Sequence, residues 1–206
     1  MFALVEDGSI TKFLSGNRGI TIGDNQYPKA IFTLWTKSER EAIGIYEVEM
    51  DISKFKDEKW YINTNITYSF GSGKVTGSYG DATAKAHADT LYTAQDETDG
   101  LGTEGEVKAE GLKTILIRNV KAQANQLLSE TDWYVTRKTE KSTAIPSNIT
   151  TWRNGIRSKQ AAMETAITNA SDTPALETLY AYVNTADEGD PVVIERPLGE
   201  FPELGS

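Results

Sequence analysis

Cysteine is absent from the 206 residues, which removes disulfide frameworks, thiolate metal sites and a cysteine nucleophile together. Histidine occurs once, as His87, so every triad or metal centre that needs two imidazoles is excluded. Positive charge is in deficit: 21 Lys+Arg against 30 Asp+Glu gives −9. A nucleic-acid binder would carry a basic face instead, and no nucleic-acid partner is expected. Nor does any segment approach the roughly 20 apolar residues that a membrane span requires. The opening Met-Phe-Ala-Leu-Val-Glu-Asp-Gly has neither the basic leader nor the apolar stretch of a signal peptide. A soluble protein made in a cytoplasm, with no membrane partner, is the expectation. The 38% of apolar residues suffices for a core.

What is present divides by pattern. Phe2 to Val5 and Ile10 to Leu14 flank Asp7-Gly8, a dipeptide that favours a tight hairpin because Gly tolerates φ > 0. Gly16, Gly19 and Gly23 punctuate a loop before Tyr27-Pro28. Thr36 with Glu39 fits a capping box, and Gly44 the left-handed stop of a short helix. Ile31, Phe32, Leu34 and Trp35 pack ahead of that helix. Ile45, Tyr46, Val48 and Met50 resume a strand. From Trp60 onward, Ile62, Thr64, Ile66, Tyr68 and Phe70 alternate with polar residues, a period of two. Gly71-Ser72-Gly73 turns the chain, and Val75, Gly77 and Tyr79 return it.

Residues 81–111 are dominated by small, polar and acidic side chains and read as a connection. Helical periodicity then begins. Leu112, Leu116, Val120 and Leu127 form one apolar stripe that stops near Ser129–Asp132. Ile149, Trp152, Ile156, Met163 and Ile167 form a second, starting after Pro146. Thr173-Pro174 announces a third helix with Leu176, Leu179 and Val183 inward. The predicted class is α+β: a β-rich N-terminal module (1–58), a β-hairpin (59–80), an acidic polar connection (81–111), a three-helix bundle-like domain (112–186) and an extended acidic tail (187–206). Leu116, Trp133, Trp152, Ile156 and Ile167 should set the bundle core.

Chemistry-bearing patterns are weak. Gly71-Ser72-Gly73-Lys74-Val75 lacks the first glycine and the hydroxyl of a phosphate loop. His87 with Asp89 supplies two ligands where metal sites use three or four. The acids between 96 and 110 do not keep the alternation of a calcium loop. No catalytic residue, cofactor or metal is therefore assigned.

Ile117-Arg118-Asn119, Leu127-Leu128-Ser129-Glu130-Thr131-Asp132-Trp133, Ile145-Pro146, Trp152-Arg153 and Ile156-Arg157 form a recognisable series. Across residues 112–183 the chain resembles a domain that recurs in tailed-bacteriophage proteins, described as tail assembly chaperone-like or tail-fibre-assembly-like. Arg118, Thr131, Asp132, Trp133, Trp152, Arg153 and Arg157 are the positions that match its motif. The N-terminal module, with Tyr27-Pro28, Trp35, Glu39 and Ala42–Tyr46, is similar to the leading segment of many phage tail-associated proteins. The resemblance implies a non-enzymatic tail-associated adaptor in the virion tail, made in the host cytoplasm. Its implied partners are other tail or tail-fibre proteins, with a homo-oligomer within the tail included. The alternative it implies is a tail-fibre assembly chaperone absent from the mature particle.

In the physics of the motif, Thr131 or Asp132 caps local N–H groups and Trp133 folds onto the bundle. Arg118, Arg153 and Arg157 are candidates to pair with Asp132 or nearby carbonyls. The segment 187–206 is too sparse in apolar residues to fold alone. Val192, Val193, Ile194, Leu198, Phe201 and Leu204 are expected to clamp a partner, with Val192 to Ile194 adding a strand to a sheet edge.

Overall fold

Asp7 and Gly8 turn the chain with φ of 50° and 74°, joining β1 (Phe2–Glu6) to β2 (Ser9–Leu14) as an antiparallel pair. The structure is a computed structural model describing residues 1–205. It is mixed α+β and divides into two compact units, Met1–Thr83 and Ala84–Ser206. Ser206, the last residue of the expected tail, lies outside the described residues.

In the first unit the glycine-punctuated stretch after β2 is more than a loop. It forms a hairpin of β3 (Ile20–Ile22) and β4 (Asn25–Tyr27), its two strands too short for alternation to reveal. A single turn, α1 (Ile31–Leu34), buries Ile31 and Phe32, whereas Leu34 is left 79% exposed. The capping box of α2 (Lys37–Glu41) forms as expected. Thr36 accepts from the Glu39 N–H, and the Glu39 carboxylate accepts from the Thr36 N–H at 2.7 Å. Gly44 stops the helix at φ 79°, and a Cβ there would stand 2.6 Å from the Val5 carbonyl oxygen. Both facts demand glycine.

β5 (Ile45–Asp51) runs antiparallel to β1. After β6 (Tyr61–Ile62), the Ser72-Gly73 turn joins β7 (Ile66–Gly71) to β8 (Lys74–Tyr79) with Phe70 opposite Val75. β8 also pairs in parallel with β5, Val48 opposite Val75. The 59–80 hairpin is thus no separate module. It completes a curled five-stranded sheet of order β2-β1-β5-β8-β7. One face packs Leu4, Leu14 and Ile45 on Ile31 and Phe32; the other packs Ala3, Val5 and Val75 with Tyr46 and Phe70. The alternation along β1 is what divides Leu4 from Ala3 and Val5.

β9 (Thr83–Ala84) lies at the junction of the units. The stretch 81–111, expected as a plain connection, is instead built. β10 (Thr90–Leu91) pairs with β11 (Val107–Ala109) around a short helix, α3 (Ala94–Thr98), itself closed by a Thr93/Asp96 capping box. Lys108 on β11 reaches the Asp96 carboxylate at 2.6 Å. Charge composition concealed this order, because hydrogen bonds rather than apolar burial supply it.

α4 (Leu112–Ser129) buries Leu112, Leu116, Val120 and Ala124, one every four residues. Its N-cap, Gly111, has no side chain to offer, and Asp89 substitutes from a distance. The Asp89 carboxylate accepts from the Gly111 N–H at 2.7 Å and from the Thr114 hydroxyl at 2.8 Å. Those two bonds hold its pKa below the ordinary carboxylate value. A further helix, α5 (Asp132–Lys141), follows at once and buries nothing. α6 (Ser147–Asn169) buries Ile149, Trp152, Ile156, Met163 and Ile167, the expected stripe, and packs on α4. α7 (Thr173–Tyr180) is capped by Asp172, not by Thr173 as the Thr-Pro pair suggested. Thr173 is buried, and its hydroxyl donates to the Lys85 carbonyl at 2.6 Å. Leu176 is fully buried, but Val183 lies 45% exposed in β12 (Val183–Asn184), which pairs with β13 (Ile194–Glu195).

Candidate functional site

Two of the expected motif positions, Thr131 and Asp132, meet at a third, the buried cation of Arg153. Arg153 projects from α6 toward the α4–α5 corner with its guanidinium donating three hydrogen bonds. They reach the Leu128 carbonyl at 2.7 Å, the Thr131 hydroxyl at 2.6 Å and the Asp132 carboxylate at 2.8 Å. The fork geometry of guanidinium suits three acceptors fixed by a helix end and the first turn of the next. The Leu128 carbonyl is one of the orphan acceptors at the end of α4. Thr131 therefore does not cap α5: its hydroxyl donates to Leu128 at 3.1 Å and receives Arg153. Asp132 remains largely in water while its partner is buried, at 61% and 9% side-chain exposure.

The other two arginines lie elsewhere. Arg118 pairs with Glu110 through one nitrogen at 2.6 and 2.8 Å. Arg157 donates to the Arg153 carbonyl at 3.4 Å, one turn back along α6. Trp133 does not fold onto the bundle. It is 50% exposed, stacked on Tyr134 with centroids 3.8 Å apart, and the Arg137 guanidinium lies 4.7 Å from its ring. Trp133 lies on the first turn of α5, a helix that buries none of its residues.

The expected partner clamp is split by the structure. Leu198 is 4% exposed and donates its N–H to the Leu179 carbonyl at 2.9 Å. Phe201 packs on the Ala124–Trp152–Ile156 cluster, and the Trp152 indole N–H donates to the Pro202 carbonyl at 2.8 Å. These residues dock on the chain's own helices, so a tail free along its whole length is corrected. The tail's apolar residues were too few to form a core, yet enough to complete one.

Between those anchors and α7 the chain projects an arm, Val183–Glu195. Arg196 locks its base by gripping the Glu200 carboxylate at 2.6 and 2.7 Å. The Tyr182 hydroxyl donates to the same carboxylate at 2.7 Å, and that bond raises the tyrosine pKa above its ordinary value. Beyond the base, Val192, Val193 and Ile194 stand 70%, 45% and 56% exposed. Leu204 is also exposed.

Among the described residues no cluster of three His, Asp or Glu could hold a metal ion, and no helix is long and apolar enough to cross a membrane. Comparison with models of protein families, with curated proteins and with solved structures finds no match to this chain.

Proposed function

We propose that this chain is a non-enzymatic component of a bacteriophage tail, an adaptor that joins tail or tail-fibre proteins within the virion. The carrying observation is the arm. Its base is fastened by Arg196, Leu198 and the Trp152–Pro202 bond, while the side chains of Val192, Val193 and Ile194 are exposed on a ribbon held only by its own strand partner. A two-stranded ribbon is marginal on its own in water, and exposed aliphatic strands of this kind serve to meet a partner's sheet edge or groove. The Arg153 corner supports a scaffold role: it ties the end of α4 and the first turn of α5 to α6. The resemblance of residues 112–183 to the tail assembly chaperone-like domain supplies the particular setting.

Mass spectrometry of purified particles of the phage that encodes the chain tests this reading. The adaptor should be present at fixed stoichiometry to a tail protein. Presence in assembling lysate with absence from mature particles would replace the adaptor by the assembly chaperone, whose client the same arm would shield.

A further inference from the structure

α5 is a helix without an inward face. None of its ten residues is buried, and an isolated helix of that length is unstable in water. Its first turn is tied down through Asp132 and Arg153. Its surface nevertheless holds an ordered aromatic and cationic cluster: Trp133 against Tyr134, with Arg137 across both rings at 4.7 and 5.3 Å. The Arg137 Nε is shielded from solvent and has no hydrogen-bond partner. Val135 is 42% exposed. Lys138 and Lys141 have no acidic partner among the described residues. Tryptophan and arginine together on an exposed helix are the residues that most often carry binding energy at protein interfaces.

Charge selects the occupant. Residues 133–141 hold three cations and one acid, Glu140, for a net +2 within a chain of −9. The arm 183–195 holds Asp187, Glu188, Asp190 and Glu195 and no cation, for −4. Its tip is a turn, with the Asp190 N–H donating to the Asp187 carbonyl at 3.1 Å, so three of those acids crowd together ahead of Val192 and Val193. Both surfaces are exposed in a single copy, so neither covers the other there. Each offers what the other wants: exposed aliphatic strand and anion on one side, tryptophan and cation on the other.

We propose that the arm of one copy docks on α5 of a second copy, its acidic tip facing Arg137, Lys138 and Lys141 and its valines covering Trp133 and Val135. The contact joins two different surfaces, so it repeats head to tail and builds a ring or an open filament rather than a closed dimer. It names a partner for the arm on which the adaptor reading rests, but concerns the purified protein alone.

Sedimentation velocity of the full chain over a concentration series tests it, at low and high salt. The wild type should self-associate, less so as salt screens the contact. The variants K138E/K141E and D187K/E188K, all at exposed positions, should each associate about tenfold more weakly with unchanged circular dichroism. Mixing these two variants should restore association, because the unaltered arm of the first then meets the unaltered helix of the second, while the acidic helix of the first meets an arm tip whose net charge the two substitutions turn from −3 to +1. Trp133 emission should shift to the blue as association proceeds. A wild type that stays monomeric throughout, or variants that fail to recover on mixing, overturns the contact. Neither result bears on whether the chain resides in the particle, which mass spectrometry decides separately.

Discussion

The sequence places Trp152 and Trp133 alike in the bundle core, yet the first is 7% exposed and the second 50%. Trp152→Ala removes a large core side chain and the bond to Pro202, and should cost about 3–5 kcal/mol. Trp133→Ala should change stability by no more than about 0.5 kcal/mol, as exposed substitutions do. Denaturant titration of the two variants separates them, and equal losses would mean α5 packs more closely than the structure has it. Trp152 lies inside the apolar stripe of α6, whereas Trp133 only follows the stripe of α4, and their burial divides along that line. The Arg153 corner makes the same point with charge. Arg153→Met removes three hydrogen bonds, two of them to the Leu128 carbonyl and the buried Thr131 hydroxyl, and should destabilise by about 2–3 kcal/mol. Asp132→Asn, at the wet end of the pair, should cost less than about 1 kcal/mol. Similar losses for the two would show that the ion pair matters more than the bonds to Leu128 and Thr131.

Asp7-Gly8 and other elements closed by short-range chemistry inside apolar patterns were legible in the sequence, and those closed at a distance were not. The Thr36/Glu39 box and the α6 stripe likewise declare themselves within a few residues. The parallel pairing of β5 with β8, the capping of α4 by Asp89 and the docking of Leu198 each join residues about twenty or more positions apart. Composition cannot carry that information. The α3 excursion shows how order hides in an acidic stretch. Lys108 and the backbone and hydroxyl of Thr93 hold the Asp96 pKa down from 3.8 to about 2. A carboxylate with a depressed folded pKa contributes stability above its unfolded value and loses it as pH falls through the folded one. The Thr93–Lys108 segment should therefore keep its structure down to about pH 4 and loosen between about 4 and 2. Amide shifts followed by NMR over that range report it, and Lys108→Met should move the transition upward. A segment indifferent to pH in that window would show that its hydrogen bonds do not depend on the Asp96 charge. At the tail, Leu198→Ala should cost about 2–5 kcal/mol, whereas Val192→Ala should leave thermal melting unchanged. The reverse order would place the arm, not Leu198, in the fold.

At the scale of the molecule, the tryptophans divide two and two, Trp35 and Trp60 in Met1–Thr83 and Trp133 and Trp152 in Ala84–Ser206. Each unit has its own buried clusters, one formed on both faces of a curled sheet and the other between α4, α6 and the returning tail. A stretch with its own core can fold and unfold as its own cooperative unit. Net charge is also unequal: 11 acids and 9 bases in the first unit, 19 and 12 in the second. Self-repulsion on lowering the ionic strength should thus weaken the helical unit more than the sheet unit. Expressed separately, residues 1–83 and 84–206 should each unfold cooperatively, the second with the helical circular dichroism of the whole chain. In the full chain, Trp152→Ala should then lower the melting of the helical signal by about 10 °C or more. The emission of Trp35 and Trp60, read in a background with Trp133 and Trp152 replaced by Phe, should keep its own midpoint when Leu198→Ala weakens the helical unit. Two midpoints that move together under that substitution would mean the units share one cooperative transition, and the division into two would be structural only.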